Sequence, residues 1–293
     1  MDTQQRLAER FEEHRAQLRA VAYRMLGSFN EADDAVQESW FRLSRSDVSD
    51  VRNLGGWLTT VVSRVCLDML RTRQSRREEP LDFHLPDPVV TAAEGADPEA
   101  AALAVDSVGW ALLVVLDTLA PAERLAFVLH DMFAVPFDDI APIVERTPAA
   151  TRKLASRARA RVEGRSAAVE PDLGRQRDAV DAFYAAAAGG DFDALLAVLD
   201  PDVVLQADTG AALAGVAKLR RGATEVADSA LLFRTPGAVN HPVLVGGTAG
   251  VVTYVADRPT SVAAFTVAEG RITRIDILSD PTRMETLPLP HRT

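Results

Sequence analysis

Cysteine is almost absent from this chain: Cys66 is the only one in 293 residues. An internal disulfide and a cysteine-based zinc site are therefore excluded. Long hydrophobic runs are missing as well. The longest strongly apolar stretch, Val108 to Leu116, is nine residues and cannot span a bilayer. The opening residues, Met1-Asp2-Thr3-Gln4-Gln5, lead into a charged amphipathic helix and do not read as a secretory signal. These absences predict a cytoplasmic protein with no membrane partner. Internal repeats and low-complexity tracts are lacking too. So is net positive charge: the formal value is −10, which argues against indiscriminate binding to nucleic acid.

The average charge conceals two basic clusters. Arg64 to Arg77 holds five arginines (64, 71, 73, 76 and 77) against a single acidic residue, Asp68. Glu145 to Arg165 holds seven Arg or Lys against two Glu. Two such clusters in an acidic chain point to two separate anion-binding surfaces.

Hydrophobic spacing divides the chain. Residues 5–77 read as helical, with Val36, Trp40 and Leu43 on one face and Leu58, Val61, Val62, Val65 and Met69 on another. From Glu78 to Glu99 the periodicity stops and prolines fall at 80, 86, 88 and 98, the composition of a partly extended linker. Helical character returns to about Val162, and Gly164 to Gly174 is a second, short linker. Arg177 to Ala188, ended by Gly189-Gly190, and Asp191 to Leu199 are two more helices. Beyond Pro201 come β-branched segments: Val203–Ala207, Val239–Val245, Gly250–Ala256, Ser261–Ala268 and Arg271–Leu278, the last two joined by a hairpin turn at Glu269-Gly270. Two helices and a run of antiparallel strands make an α+β domain.

The sharpest local pattern runs from Phe137 to Val162. Phe137, Ile140, Ala141 and Val144 form the buried side of a short helix. Thr147 is a good N-cap and Pro148 suits the first position of a second helix. On that helix Leu154, Ala155, Ala158 and Val162 share the inner face, Arg152, Lys153 and Ser156 lie opposite, and Arg157 and Arg159 flank them. A short helix, a tight turn and a helix with a cationic outer face suit docking in a DNA major groove.

The N-terminal helices supply a family. Glu31-Ala32-Asp33-Asp34-Ala35-Val36-Gln37-Glu38-Ser39-Trp40-Phe41-Arg42-Leu43 resembles region 2.2 of bacterial sigma factors. Gly55-Gly56-Trp57-Leu58 onward to Asp68 resembles regions 2.3 and 2.4. Leu119-Ala120-Pro121-Ala122-Glu123-Arg124 and the helix-turn-helix resemble region 4. The order, with a short linker and no region 3, is that of the extracytoplasmic-function (ECF) type. The resemblance implies a transcription initiation factor whose partners are core RNA polymerase and promoter DNA. It assigns Asp33, Asp34, Gln37 and Glu38 to polymerase binding. It assigns Val48, Ser49, Asn53, Trp57 and Arg64 to the −10 element, with Arg71, Arg73, Arg76 and Arg77 on phosphates. Thr151, Arg152, Lys153, Ser156, Arg157 and Arg159 fall at the −35 element.

About 120 further residues follow. Arg177 to Asp193 looks like the start of a SnoaL/NTF2-like domain, and the whole resembles the ECF subgroup fused to one. The implied architecture is multidomain: two all-α domains, then an α+β, cone-shaped domain. The expected boundaries are 1–77 for region 2, 78–105 for a linker, 106–165 for region 4, 166–174 for a second linker and 175–293 for the SnoaL-like domain. That subgroup pairs an Asp-Gly-Gly-Gly-Lys type motif in the extension with a Trp-Leu-Pro-Glu-Pro type motif in the linker. Here the corresponding residues are Asp208-Thr209-Gly210-Ala211-Ala212 and His84-Leu85-Pro86-Asp87-Pro88, both departing from the pattern. Thr209 and Ala211 would tolerate positive φ poorly where glycines are lost. The expected intramolecular contact between the extension and the sigma domains uses Leu85, Pro86, Asp87, Pro88, Asp208, Thr209 and Gly210. Some SnoaL-like proteins are enzymes using Asp and His. Asp208, His241, Asp257 and Asp276 are the groups available, and their spacing forms no catalytic motif, so no catalytic residue, metal or cofactor is expected.

Three readings compete. The first is an initiation factor regulated in cis by its extension. The second is a sigma factor fused to an active or ligand-sensing SnoaL-like enzyme domain. The third, a one-component regulator, has no need of a polymerase-binding helix or a −10 loop.

Overall fold

Apolar residues at helical spacing assemble the N-terminal half. In the computed structural model, which describes residues 3–47, 51–76, 84–93, 109–163, 170–210 and 219–290, three helices come first: α1 (Thr3–Leu26), α2 (Phe29–Ser44) and α3 (Leu54–Arg76). Phe11, Leu18, Val21 and Met25 of α1 are buried with Val36 and Leu43 of α2 and Leu58 and Val62 of α3. Ser28 caps α2 by accepting from the Glu31 amide. After the linker come α4 (Trp110–Asp117), α5 (Pro121–Phe127) with a π-turn at Val128–Met132, α6 (Phe137–Ile140) and α7 (Pro148–Glu163).

Chain contacts divide the protein into two units, Met1–Glu79 with Leu113–Arg165, and Pro80–Leu112 with Ser166–Thr293. The helices on both sides of the proline-containing segment thus share the first unit. Within it Arg124 of α5 is fully buried and its Nε donates to the Arg24 carbonyl at 3.2 Å, while Nη1 pairs with Asp117 at 3.0 Å. Burial lowers its pKa, opposed by Asp117. The Arg24 guanidinium lies over the Phe133 ring, 5.0 Å from its centroid.

The second unit contains α8 (Leu173–Gly189) and α9 (Phe192–Val198), capped by Asp172 and Asp191, then β2 (Leu199–Asp208), β3 (Leu219–Arg221), α10 (Ala223–Leu232), β4 (Val239–Val245), β5 (Thr248–Val255), β6 (Arg258–Ala268), β7 (Arg271–Leu278) and α11 (Pro281–Met284). Linker residues Val90–Ala92 add a strand, β1, and the sheet order is β1-β4-β5-β6-β7-β2-β3. The helices pack over Leu205, Val251, Phe265 and Ile275, with Phe183, Tyr184 and Phe265 in mutual edge contacts.

The sheet departs from the expected antiparallel run in one place: β2 and β7 are parallel. Alternation and β-branching fix which face of a strand is buried but carry no information about its partner's direction. No hairpin joins β2 to β7, so topology alone decides. The Glu269-Gly270 turn does form, with both residues at positive φ (51° and 76°). β3 and α10 are elements the hydrophobic pattern did not announce, and β1 is a strand recruited from a segment read as linker.

Candidate functional site

In the helix-turn-helix the first helix is the single turn α6, whose Ile140 is buried while Phe137, expected on the same side, is half-buried. Thr147 Oγ1 accepts from the Ala150 amide at 3.2 Å, and Pro148 opens α7. Arg152, Lys153 and Ser156 are exposed on the outer face. Thr151 is not on it: the side chain is fully buried and donates to the Thr147 carbonyl at 3.0 Å. A threonine inside the first turn can turn inward and satisfy its hydroxyl on the backbone, which removes it from the predicted −35 set. Arg157 and Arg161 pair with the buried Glu123 of α5 at 3.4 and 2.7 Å, and Arg159 pairs with Asp131. These three arginines brace α7 against α5 and the π-turn that continues it. Outside α7, Phe137 stacks on His130 with 3.8 Å between ring centroids, and the Arg152 guanidinium sits 5.6 Å from the Phe137 centroid.

In the first three helices, Asp33, Asp34, Gln37 and Glu38 are exposed along α2. Asp33 accepts from Arg19 at 2.7 Å and Glu38 from Arg42 at 2.9 Å. An open groove of about 450 Å³ is lined by Arg15, Asp33, Asp34, Gln37, Trp40 and Phe41. Asn53 caps α3, its Oδ1 accepting from the Gly56 amide at 3.0 Å, and Trp57 is half-buried. Arg64 and Arg71 are exposed; Arg71 lies 3.8 Å from Asp68. Arg73 turns inward to the Leu26 carbonyl at 3.3 Å and to the Glu31 carboxylate. Its predicted phosphate contact is therefore corrected: a carboxylate one helix away captures it, which spacing along α3 does not reveal. Arg76 closes α3, while Val48, Ser49 and Arg77 lie outside the described residues.

The second unit brings together the two segments read as a regulatory pair. Leu85, Pro86, Asp87 and Pro88 are buried, as are Asp208 and Thr209. Asp208 Oδ2 accepts from the Leu85 amide at 2.9 Å, and Oδ1 from the Gly210 amide at 3.1 Å. Arg283 of α11 completes the network: Nη1 donates to Asp208 at 2.8 Å, Nη2 to the Leu85 carbonyl at 2.7 Å, and Nε to Asp87 at 3.1 Å. His84 Nδ1 lies 3.5 Å from Asp208 Oδ2. Trp110 Nε1 donates to the Pro86 carbonyl at 2.9 Å, and β1 pairs antiparallel with β4. Among the described residues of the loop Gly210 needs glycine: φ is +63° and a Cβ there would lie 2.6 Å from the Asp280 carboxylate. Thr209 is not among the residues of positive φ.

Residues 10–76 match the family described as Sigma-70 region 2, residues 110–162 match Sigma-70 region 4, and residues 180–275 match the SnoaL-like domain. The chain is 38% identical to the ECF RNA polymerase sigma factor SigJ of Mycobacterium tuberculosis, over 96% of this chain and 94% of that protein. It belongs to the ECF RNA polymerase sigma factors. The probable sigma factor SigI of the same species is 35% identical over 94% of this chain and 93% of its own length. The crystal structure of the M. tuberculosis SigJ superposes with a TM-score of 0.72 at 35% identity, covering 97% of this chain and all of that one.

As a sigma factor the chain binds core RNA polymerase, recognises promoter DNA and starts transcription. No helix among the described residues is long and apolar enough to cross a membrane. Nor does any group of three or more His, Cys, Asp or Glu among them hold metal-ligand geometry. The four polar groups of the SnoaL-like domain are dispersed. Asp208 belongs to the linker network, Asp257 to a turn, and Asp276 is buried against Arg274. His241 on β4 and Asp276 on β7 have β5 and β6 between them in the sheet order, about 14 Å measured along the sheet. The contacts of Arg283 and Glu123, and that of Phe137 with Arg152, had no signal in local spacing; Arg283 and Asp87 are 196 positions apart.

Proposed function

We propose that the SnoaL-like domain regulates this sigma factor in cis, by holding the segment that joins region 2 to region 4 and docking against the sigma domains through the same loop. One observation carries the reading: Arg283 and Asp208 clamp Leu85 and Asp87 of that segment onto the SnoaL-like sheet. Residues 77–109 separate α3 from α4, a tether that fully extended would reach about 110 Å. With residues 84–93 clamped and Trp110, the first residue of α4, bonded to the Pro86 carbonyl, residues 77–83 alone stay available between α3 and the clamp, about 25 Å at full extension. The clamp thus limits how far the −10 and −35 readers separate, and releasing it shifts the population toward forms that reach both elements.

Within this reading Arg152, Lys153 and Ser156 meet the −35 element, Arg64 and Arg71 act at the −10 side with Trp57 and Asn53 at the start of their helix, and Asp33, Asp34, Gln37 and Glu38 face polymerase. The domain acts by contact rather than by catalysis, a reading supported by the separation of His241 and Asp276. The test is transcription in vitro with purified core polymerase, comparing full-length protein, a truncation after residue 170 and Arg283→Ala. The reading expects both variants to change promoter-directed initiation in the same direction. Equal activity and equal polymerase affinity for all three would refute regulation in cis.

A further inference from the structure

The ring stack beneath the recognition helix does something that no cap or core contact requires. His130 Nδ1 lies 3.1 Å from the Val135 carbonyl, so that nitrogen carries the proton and the ring plane is fixed. Phe137 stacks on this ring at an interplanar angle of 29°, and the Arg152 guanidinium lies over the Phe137 ring, 5.6 Å from its centroid. The guanidinium of Arg152 is otherwise exposed on the outer side of α7. A long arginine side chain in water samples many rotamers, and fixing them at binding costs affinity. A guanidinium already lying over an aromatic face has lost much of that freedom, while its N–H edge stays open for an acceptor pair such as guanine O6 and N7.

We propose that Phe137, outside the recognition helix, is a positioning residue for reading the −35 element: itself held by the stack with His130, it keeps Arg152 in the orientation that meets a base edge. Lys153, the neighbouring cation, lies over no aromatic ring among the described residues and contributes charge. This rests on α7 being the −35 helix. Asp138 and Asp139 follow Phe137 on the exposed side of α6; they repel phosphate, so Phe137's short helix is not itself a backbone-binding element.

The experiment uses full-length protein with core polymerase and a promoter library randomised through the −35 element, read as base preference at each position and as salt dependence. Arg152→Ala should flatten preference at one base pair. Phe137→Leu, which keeps apolar bulk and removes the ring, should reduce preference at that same pair about two- to five-fold, and Phe137→Tyr should restore it. The double variant should lose no more than Arg152→Ala alone. Melting curves verify that each variant is folded; should Phe137→Leu unfold, His130→Gln replaces it, with a smaller loss expected at the same pair. A Phe137→Leu protein that weakens every promoter alike, or loses preference at another pair, overturns the positioning role. If Arg152→Ala, Lys153→Ala and Ser156→Ala all leave every −35 preference unchanged, the assignment of α7 fails instead, and the positioning role with it.

Discussion

Replacing Arg283 with alanine removes the guanidinium that bridges Asp208 and Asp87. Their side chains are 2% and 11% exposed, so both carboxylates stay largely out of water when the cation goes. Deleting one partner of a buried pair costs about 3–5 kcal/mol. Part of that falls on Leu85, whose carbonyl also accepts from Arg283 and whose amide donates to Asp208. The cheapest relaxation is to let the linker leave, since departure hydrates both carboxylates without unfolding the sheet. Tenfold per 1.4 kcal/mol makes this roughly two to three and a half powers of ten in local opening. The assay is hydrogen exchange on the full-length protein, followed at the Leu85 amide and at Val90–Ala92 of β1. The expected result is a loss of protection of that order at these amides, or a fall to unprotected exchange, with β5 and β6 unchanged. Arg283→Lys keeps the charge but cannot donate along the same fork and should fall between. A folded Arg283→Ala protein with unaltered exchange at Leu85 would refute the argument, because β1 alone would then be holding the linker.

Other outcomes follow from the same structure. Arg161→Ala should lower the melting temperature by removing the nearer of the two arginines paired with Glu123 yet leave the salt slope of promoter binding unchanged. Lys153→Ala should reduce that slope by about 1. Cys66, fully buried with its thiol pushed up to about 12 by burial, should resist thiol reagents at pH 8 until the protein is denatured. Burial also raises the Asp276 carboxyl, opposed by Arg274. Its contribution to stability is therefore complete below the ordinary carboxylate value and lost as pH rises through the folded one. The melting temperature of Asp276→Asn relative to the natural protein should accordingly rise between pH 4 and pH 8; a constant difference would refute this.

By itself the sequence determined the local structures and the family. The N-cap Thr147, the proline after it and the 3.6-residue spacing of Ala155 and Ala158 fix α7, because a helix is specified by neighbours three and four residues apart. β4 and β7 fall at the predicted residues, Val239–Val245 and Arg271–Leu278, because alternation is equally local. What lies across from a side chain is not local. Only the tertiary structure turned Thr151 inward, gave Arg73 to Glu31, paired Arg157 and Arg159 with acids of the preceding segment, and set β2 parallel to β7. It also decided the linker's fate. Prolines and lost periodicity excluded a helix in this segment, and its described residues, 84–93, form none. Nothing in that composition encodes an edge strand on β4, or an arginine nearly two hundred positions away that closes on Asp87 and Asp208. Those contacts exist because a sheet edge leaves backbone donors and acceptors open, and because buried carboxylates require a cation that chain topology happened to bring within reach.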